Sequence, residues 1–195
     1  MQSDKIILGI DPGTQISGWG VVAVRGGVCS YISMGVIDLR KEKDLFIRIG
    51  ILFKKVVELI DKYTPDELAM EAPFYGKNVQ SMLKLGRAQG ALISAAHSKD
   101  IPIFEYAPRK IKLSITGRGA ASKEQVATII SKILSIEEAP SVFFDATDGL
   151  AAALCHYLNS NIAFSTKGKT PKNSGHSGGW GKFIKDNPDR IKKKV

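Results

Sequence analysis

The chain has 195 residues, 44% of them hydrophobic and 24% charged, with 28 Lys and Arg against 19 Asp and Glu for a net charge of +9. That suits one globular domain with a sizeable core, and no apolar run is long enough to span a bilayer. Two cysteines in apolar contexts, Cys29 and Cys155, read as buried thiols and not as a disulfide framework; with no apolar segment and small-residue cleavage site near Met1, the expectation is a cytoplasmic protein.

The first element is the run Lys5 to Ile10, in which Ile6, Leu8 and Ile10 form one face and Ile7 and Gly9 the other. A strand apolar or small on both faces belongs inside a covered sheet. It ends on Asp11, followed by Pro12-Gly13. Asp before Pro-Gly is good turn chemistry, yet a carboxylate at the end of a buried strand also suits a site that pairs it or gives it a cation. Gly18 to Val24 and Val28 to Ile37, separated by Gly26-Gly27, read as two further strands antiparallel to the first.

Asp44 to Tyr63 has a helical apolar repeat, with Leu45, Ile49, Leu52, Phe53, Val56 and Ile60 at steps of three and four. Thr64-Pro65 stops it, and Glu67 to Glu71 is a short strand that again ends on an acid close to a proline, Pro73. Asn78 suits the cap of a second helix reaching about Lys99, whose small residues Gly86, Gly90 and Ser94 recur every four positions. Such a row lets another backbone approach, which offsets the roughly 1 kcal/mol that each helical glycine costs. Pro102 to Tyr106 is a fifth strand, and Pro108 to Thr116 a helix. Gly117-Arg118-Gly119 reads as a mobile loop. Ser122-Lys123-Glu124-Gln125 is a capping box opening a helix to about Leu134, and Asp145 opens a last helix to about Leu158, with Leu150, Ala153, Leu154 and Tyr157 inward. This order predicts an α/β fold: a mixed five-stranded sheet, three antiparallel strands then two parallel, with helices on both faces.

Residues 1–163 are expected to form that domain. Residues 164–195 read as a basic, disordered tail: from 165 onward it holds nine Lys and Arg against two Asp, leaving only +2 for the remainder. A basic arm suits nucleic acid, and it equally suits a solubilising tail.

Four acids stand out. Asp11 and Glu71 each end a strand, while Asp145 and Asp148, three apart at a helix start, share a face. The last pair on its own reads as an ordinary cap with an acid in the first turn. Acid–Pro-Gly, a second strand-end acid and D-x-x-D in that order make a much rarer set. Converging carboxylates repel, and hard oxygen donors suit Mg²⁺ or Mn²⁺; two such ions about 3.5–4 Å apart would activate water and stabilise a phosphodiester's leaving oxygen. His97, His156 and His176 have no metal-ligand spacing; His156, two turns beyond Asp148, could face the acids but reads first as a core-edge histidine.

Six stretches in order, Ile7–Gly13, Glu71–Phe74, Lys84–Gly90, Tyr106–Lys112, Ala121–Val126 and Asp145–Ala151, resemble the RuvC-type Holliday-junction resolvases of bacteria, which have an RNase H-like fold. The resemblance covers residues 5 to about 160 and does not extend to the tail. It implies a structure-selective endonuclease that resolves four-way DNA junctions in recombination and repair, acting as a homodimer with a branch-migration helicase partner. Asp11, Glu71, Asp145 and Asp148 would be catalytic and hold divalent metal, with Mg²⁺ as the ion, Mn²⁺ substituting, and two ions per site. Phe74 would stack on or wedge between bases at the exchange point, and Lys112 and Lys123 would touch phosphate. Lys77, Arg87 and Arg118 are further DNA-binding candidates that equally suit ordinary solvated charges. Many relatives have Ala where this chain has Thr147 and Gly149; Gly149 would loosen the first turn of the last helix. Two other readings stay open: a catalytically idle junction-binding protein, and an actin-like ATP-handling domain, since Asp-Pro-Gly-Thr after a strand resembles a phosphate motif. The latter lacks a G-x-x-x-x-G-K-[ST] loop.

Overall fold

Alternation along the first strand puts Leu8 and Ile10 on one face and Ile7 on the other, all fully buried, so each face needs its own layer of helices. The computed structural model describes residues 4–73, 78–136 and 144–166, with side chains described to residue 160. The strands are β1 (Lys5–Asp11), β2 (Ile16–Arg25), β3 (Val28–Asp38), β4 (Glu67–Glu71) and β5 (Ile103–Tyr106); the helices are α1 (Leu45–Tyr63), α2 (Val79–His97), α3 (Pro108–Thr116), α4 (Lys123–Ile133) and α5 (Phe144–Thr166). They form one five-stranded sheet in the order β3-β2-β1-β4-β5. β1 pairs antiparallel with β2 and β2 with β3, while β1/β4 and β4/β5 are parallel. This is the expected mixed sheet.

The two faces are distinct cores. On one, Leu8, Ile10, Val21, Leu68 and Met70 pack against Leu52 and Val56 of α1 and Ala88 and Leu92 of α2. On the other, Ile7, Val22 and Ala69 meet Ile111 of α3, Ile130 of α4 and the buried run Leu150–Cys155 of α5. The helix starts follow local chemistry. Asp44 accepts from the Phe46 and Ile47 amides at 2.8 and 3.0 Å, and Asn78 from Ser81. Ser122 and Gln125 close the expected capping box.

Four expectations need correction. α5 extends to Thr166, well past Leu158. Cys29 is only half-buried, since it sits on the edge strand β3, whereas Cys155 is fully buried. Gly117-Arg118-Gly119 is a hydrogen-bonded turn. Gly117 takes φ +73° to close α3, and the Thr116 hydroxyl contacts both the amide and the carbonyl of Arg118. Gly149 does not loosen α5; it seats it. A Cβ at Gly149 would lie 2.5 Å from the Trp19 backbone, and one at Gly9 would lie 2.2 Å from the Gly149 carbonyl oxygen. Gly18 and Gly20 complete this bare strip on β1 and β2, against which the backbone of α5 rests directly.

No helix among the described residues is long and apolar enough to cross a membrane.

Candidate active site

Because β1 and β4 are parallel neighbours, their carboxyl-terminal ends lie side by side, and each ends on an acid. The register runs Ile7 to Glu67 through Ile10 to Met70, so Asp11 and Glu71 are the next positions along. Both backbones are held where they leave the sheet. The Ser17 hydroxyl donates to the Asp11 carbonyl at 2.8 Å, and the Gln89 amide of α2 donates to the Glu71 carbonyl at 3.3 Å. The Ala72 amide is bonded to the Tyr106 carbonyl. α5, seated on the glycine strip, brings Asp148 to the same place. Asp11, Glu71 and Asp148 together line a cavity of about 160 Å³ with Lys112, Lys123, Pro108, Ile111, Val126 and Ala151. Asp145 is not part of that lining, but it lies within electrostatic reach of Asp11, Asp148 and Lys123.

The electrostatics follow from crowding anions in a half-buried place. Burial, then the charges of Glu71, Asp148 and Asp145, push the Asp11 carboxyl up to about 7 in spite of Lys123. Burial and Asp148 raise Glu71, and burial raises Asp148 although Lys123 pulls it back. Burial works against the Lys123 ammonium, but its hydrogen bond to Asp148 and the charges of Asp148, Asp11 and Asp145 more than compensate, so it is raised. Lys123 is the fixed cation of the cluster. Among the described residues, no three His, Cys, Asp or Glu side chains converge tightly enough to hold a metal ion as they stand. The all-carboxylate donor set is nonetheless the kind a hard divalent cation takes.

The remaining candidates fall in different places. Lys112, half-buried on α3, lines the cavity and helps hold down Glu71 and Asp148. Arg118 is exposed in the turn after α3. Arg87 on α2 stands over the Phe46 ring of α1, 5.5 Å from its centroid, and is not among the cavity's lining residues. Phe74 and Lys77 lie outside the described residues, as does the basic tail from residue 167. His156 is 3% exposed and belongs to a different network at the other end of β4: Nδ1 meets the Tyr106 hydroxyl at 2.6 Å and Nε2 the Glu67 carboxylate at 2.7 Å, which also receives Lys5 at 2.5 Å. Burial keeps the imidazole neutral by lowering its pKa against the opposing pull of Glu67. His156 is therefore a buried structural histidine and does not line the acids' cavity.

Sequence reasoning passed over Ser17, Gln89 and the glycine strip. Gln89 sits inside the matched stretch Lys84–Gly90, which was the available signal; nothing local marks Ser17 as the anchor of Asp11.

Comparison with known proteins gives the family. Residues 7–156 match the family model for the crossover junction endodeoxyribonuclease RuvC. The RuvC protein of Bacteroides fragilis is 54% identical over 190 residues, covering 97% of each chain, and that of Cytophaga hutchinsonii is 53% identical over 189 residues, covering 97% of this chain and 89% of its own. The solved structure of Thermus thermophilus RuvC in complex with Holliday junction substrate superposes with a TM-score of 0.74 at 31% identity, covering 82% of this chain and 96% of that one. With sequence and backbone agreeing over most of its length, this chain belongs to the RuvC family of crossover junction endodeoxyribonucleases and has that family's RNase H-like fold.

Proposed function

We propose that this protein resolves four-way DNA junctions in the cytoplasm by metal-dependent hydrolysis of two symmetrically placed phosphodiesters, with Asp11, Glu71, Asp145 and Asp148 as its catalytic acids. The observation that carries this reading is the meeting of Asp11, Glu71 and Asp148 in one cavity, with Asp11 pushed up to about 7 by its neighbours. Such a cluster favours the arrival of a divalent cation, and the family to which the chain belongs uses one. The four acids would hold Mg²⁺, with Mn²⁺ able to replace it and two ions per site. When bound, the metal would supply a nucleophilic water and charge neutralisation at the leaving oxygen. The chain's own residues set the rest: Lys112 and Lys123 place cationic groups at the cavity wall where a phosphate would lie, and Ser17 and Gln89 fix the two strand ends. Phe74 would reach the exchange point, and Lys77, Arg87 and Arg118 would add backbone contacts. The idle-binder and ATP-handling readings are not favoured, since all four acids are retained and the relatives are nucleases.

Two cuts need two sites, which calls for a two-fold homodimer. The outward face of α2 suits it. Val79, Leu83, Gly86, Gly90 and Ile93 recur at alternating steps of four and three. The three apolar side chains are exposed, and nothing lies within 4 Å of where a Cβ at either glycine would be. That is the spacing of a helix that packs on another helix. Leu83→Glu is therefore expected to leave the fold intact and convert the dimer to monomer, read by light scattering; a variant that stays dimeric removes α2 from the interface. A branch-migration helicase remains the expected partner, and residues 164–195 a basic tail apart from the nuclease domain of residues 1–163.

The deciding experiment is gel analysis of a labelled four-way junction beside linear duplex, with Mg²⁺ and with chelator. Paired cuts near the exchange point, confined to the junction and to the metal-containing lanes, are expected. Equal cutting of linear duplex, or cutting in chelator, would refute the reading.

A further inference from the structure

The cationic groups that line the acids' cavity, Lys112 and Lys123, come from α3 and α4, which follow β5. On the other side, β3 ends at Asp38 on the same end of the sheet as Asp11, because Ile16 pairs with Asp38 just beyond the Asp11–Gly18 pair. The segment from Asp38 to Asp44 carries three acids and three bases, but the acids are spent locally. Asp38 takes Arg40 bidentately, Nε to Oδ1 at 3.0 Å and Nη2 to Oδ2 at 2.7 Å, and the Arg40 amide as well. Glu42 accepts the Lys43 and Asp44 amides, and Asp44 caps α1. Lys41 and Lys43 are exposed.

This segment is also tied to the turn after Asp11. The Leu39 amide donates to the Gln15 carbonyl at 2.8 Å. Arg48 spans the two loops, Nε to the Glu42 carbonyl at 2.5 Å and Nη1 to the Thr14 carbonyl at 3.3 Å. Arg40 lies within the field of Asp145, which adds to the forces keeping it cationic after its bonds to Asp38. An exposed ion pair between residues two apart does little for stability. What it does here is hold a planar guanidinium in one orientation beside the acids, with its remaining N–H donors unspent.

We propose that Arg40, held by Asp38, is a DNA-phosphate contact on the β3 side of the acid cluster, facing the strand from the flank away from Lys112 and Lys123. The ligand class is a phosphodiester of the bound junction, so the assignment rests on the resolvase reading. Lys41 and Lys43 add long-range attraction on the same loop. A guanidinium already fixed in place loses less freedom on gripping phosphate than a free side chain would.

The test uses the full chain and a synthetic four-way junction, with binding followed by fluorescence anisotropy in chelator over a range of salt. Arg40→Gln should weaken binding about tenfold and lower the salt slope by about one. Arg40→Lys should recover part of the affinity. Arg25→Gln removes the same charge from the opposite end of β2 and should bind within about twofold of wild type. Equal losses for Arg40→Gln and Arg25→Gln, or an unchanged slope for Arg40→Gln beside a wild type that binds and cuts normally, would overturn the assignment alone. A wild type that does not bind junctions would overturn the resolvase reading and this assignment with it.

Discussion

Asp11→Asn is expected to abolish junction cleavage while making the metal-free protein more stable. Loss of groups that merely support a metal ligand costs about 10–100-fold, so loss of a ligand shared at the centre of the cluster should cost more than about 1000-fold in single-turnover cleavage. Junction binding should survive, because the cationic contacts are untouched. The stability effect has the opposite sign and a defined pH window. In the fold the Asp11 carboxyl keeps its proton up to about 7, against an ordinary 3.8. Between those values the folded chain binds more protons than the unfolded one, so raising the pH destabilises it, and the full favourable contribution exists only below 3.8. The interval corresponds to about 4 kcal/mol, and sharing among Glu71, Asp148 and Lys123 brings the expected gain to roughly 2–3 kcal/mol. Asn carries no charge to suppress. In chelator at pH 8 its Tm should exceed that of wild type by about 5–10 °C, with the difference closing towards pH 4. Adding Mg²⁺ at pH 8 should close it too, by stabilising wild type more than the variant. Equal melting of the two proteins at pH 8 without metal would show that the acids do not strain the fold.

Gly18→Ala is expected to damage both fold and activity. Its Cβ would fall 1.7 Å from the Asp145 carbonyl oxygen, a backbone atom that cannot swing aside. Either α5 moves outward or β2 distorts, and forced overpacking of this kind costs about 1–3 kcal/mol, at the upper end when backbone must shift. Asp145 and Asp148 ride on the displaced turn, and a misplacement of about 1 Å is enough to cost about 100-fold in rate. A fall in Tm of roughly 6–10 °C with cleavage down at least about 100-fold is expected, both measured at saturating Mg²⁺. Gly50→Ala makes the comparison: that glycine is mid-α1 with nothing within 4 Å of the added carbon, so alanine should stabilise by up to about 1 kcal/mol. If Gly18→Ala melted and cut like wild type, the close seat of α5 would be refuted.

The pair of expectations shows what a one-dimensional reading can and cannot see. Asp11 and Glu71 were legible because each interrupts an apolar run at its end, and the capping box at Ser122 was legible because all its partners lie within four residues. The mixed sheet was legible from the order of the elements, but the pairing of β1 with β4 was not, because β2, β3 and α1 lie between them in the chain. Gly18 and Gly20 read only as members of a strand, since their reason is a helix starting more than a hundred residues later. Lys123 was named for phosphate, but its bond to Asp148 joins positions 25 apart and depends on how α4 meets α5. Arg40 was invisible because its meaning lies in the sheet edge that brings β3 alongside β2. Local chemistry survives translation from sequence; contacts between layers do not.

The histidine network has a bearing on the acids that its distance from them conceals. His156 is clamped between Tyr106 and Glu67, eight residues along the helix from Asp148, or about 12 Å at helical rise. The Tyr106 backbone in turn holds Ala72, next to Glu71. The helix bearing Asp148 and the strand bearing Glu71 are therefore both fastened to Tyr106, one through its hydroxyl and one through its carbonyl. Tyr106 faces Glu71 across the β4/β5 pairing, so a single tyrosine joins the supports of both acids.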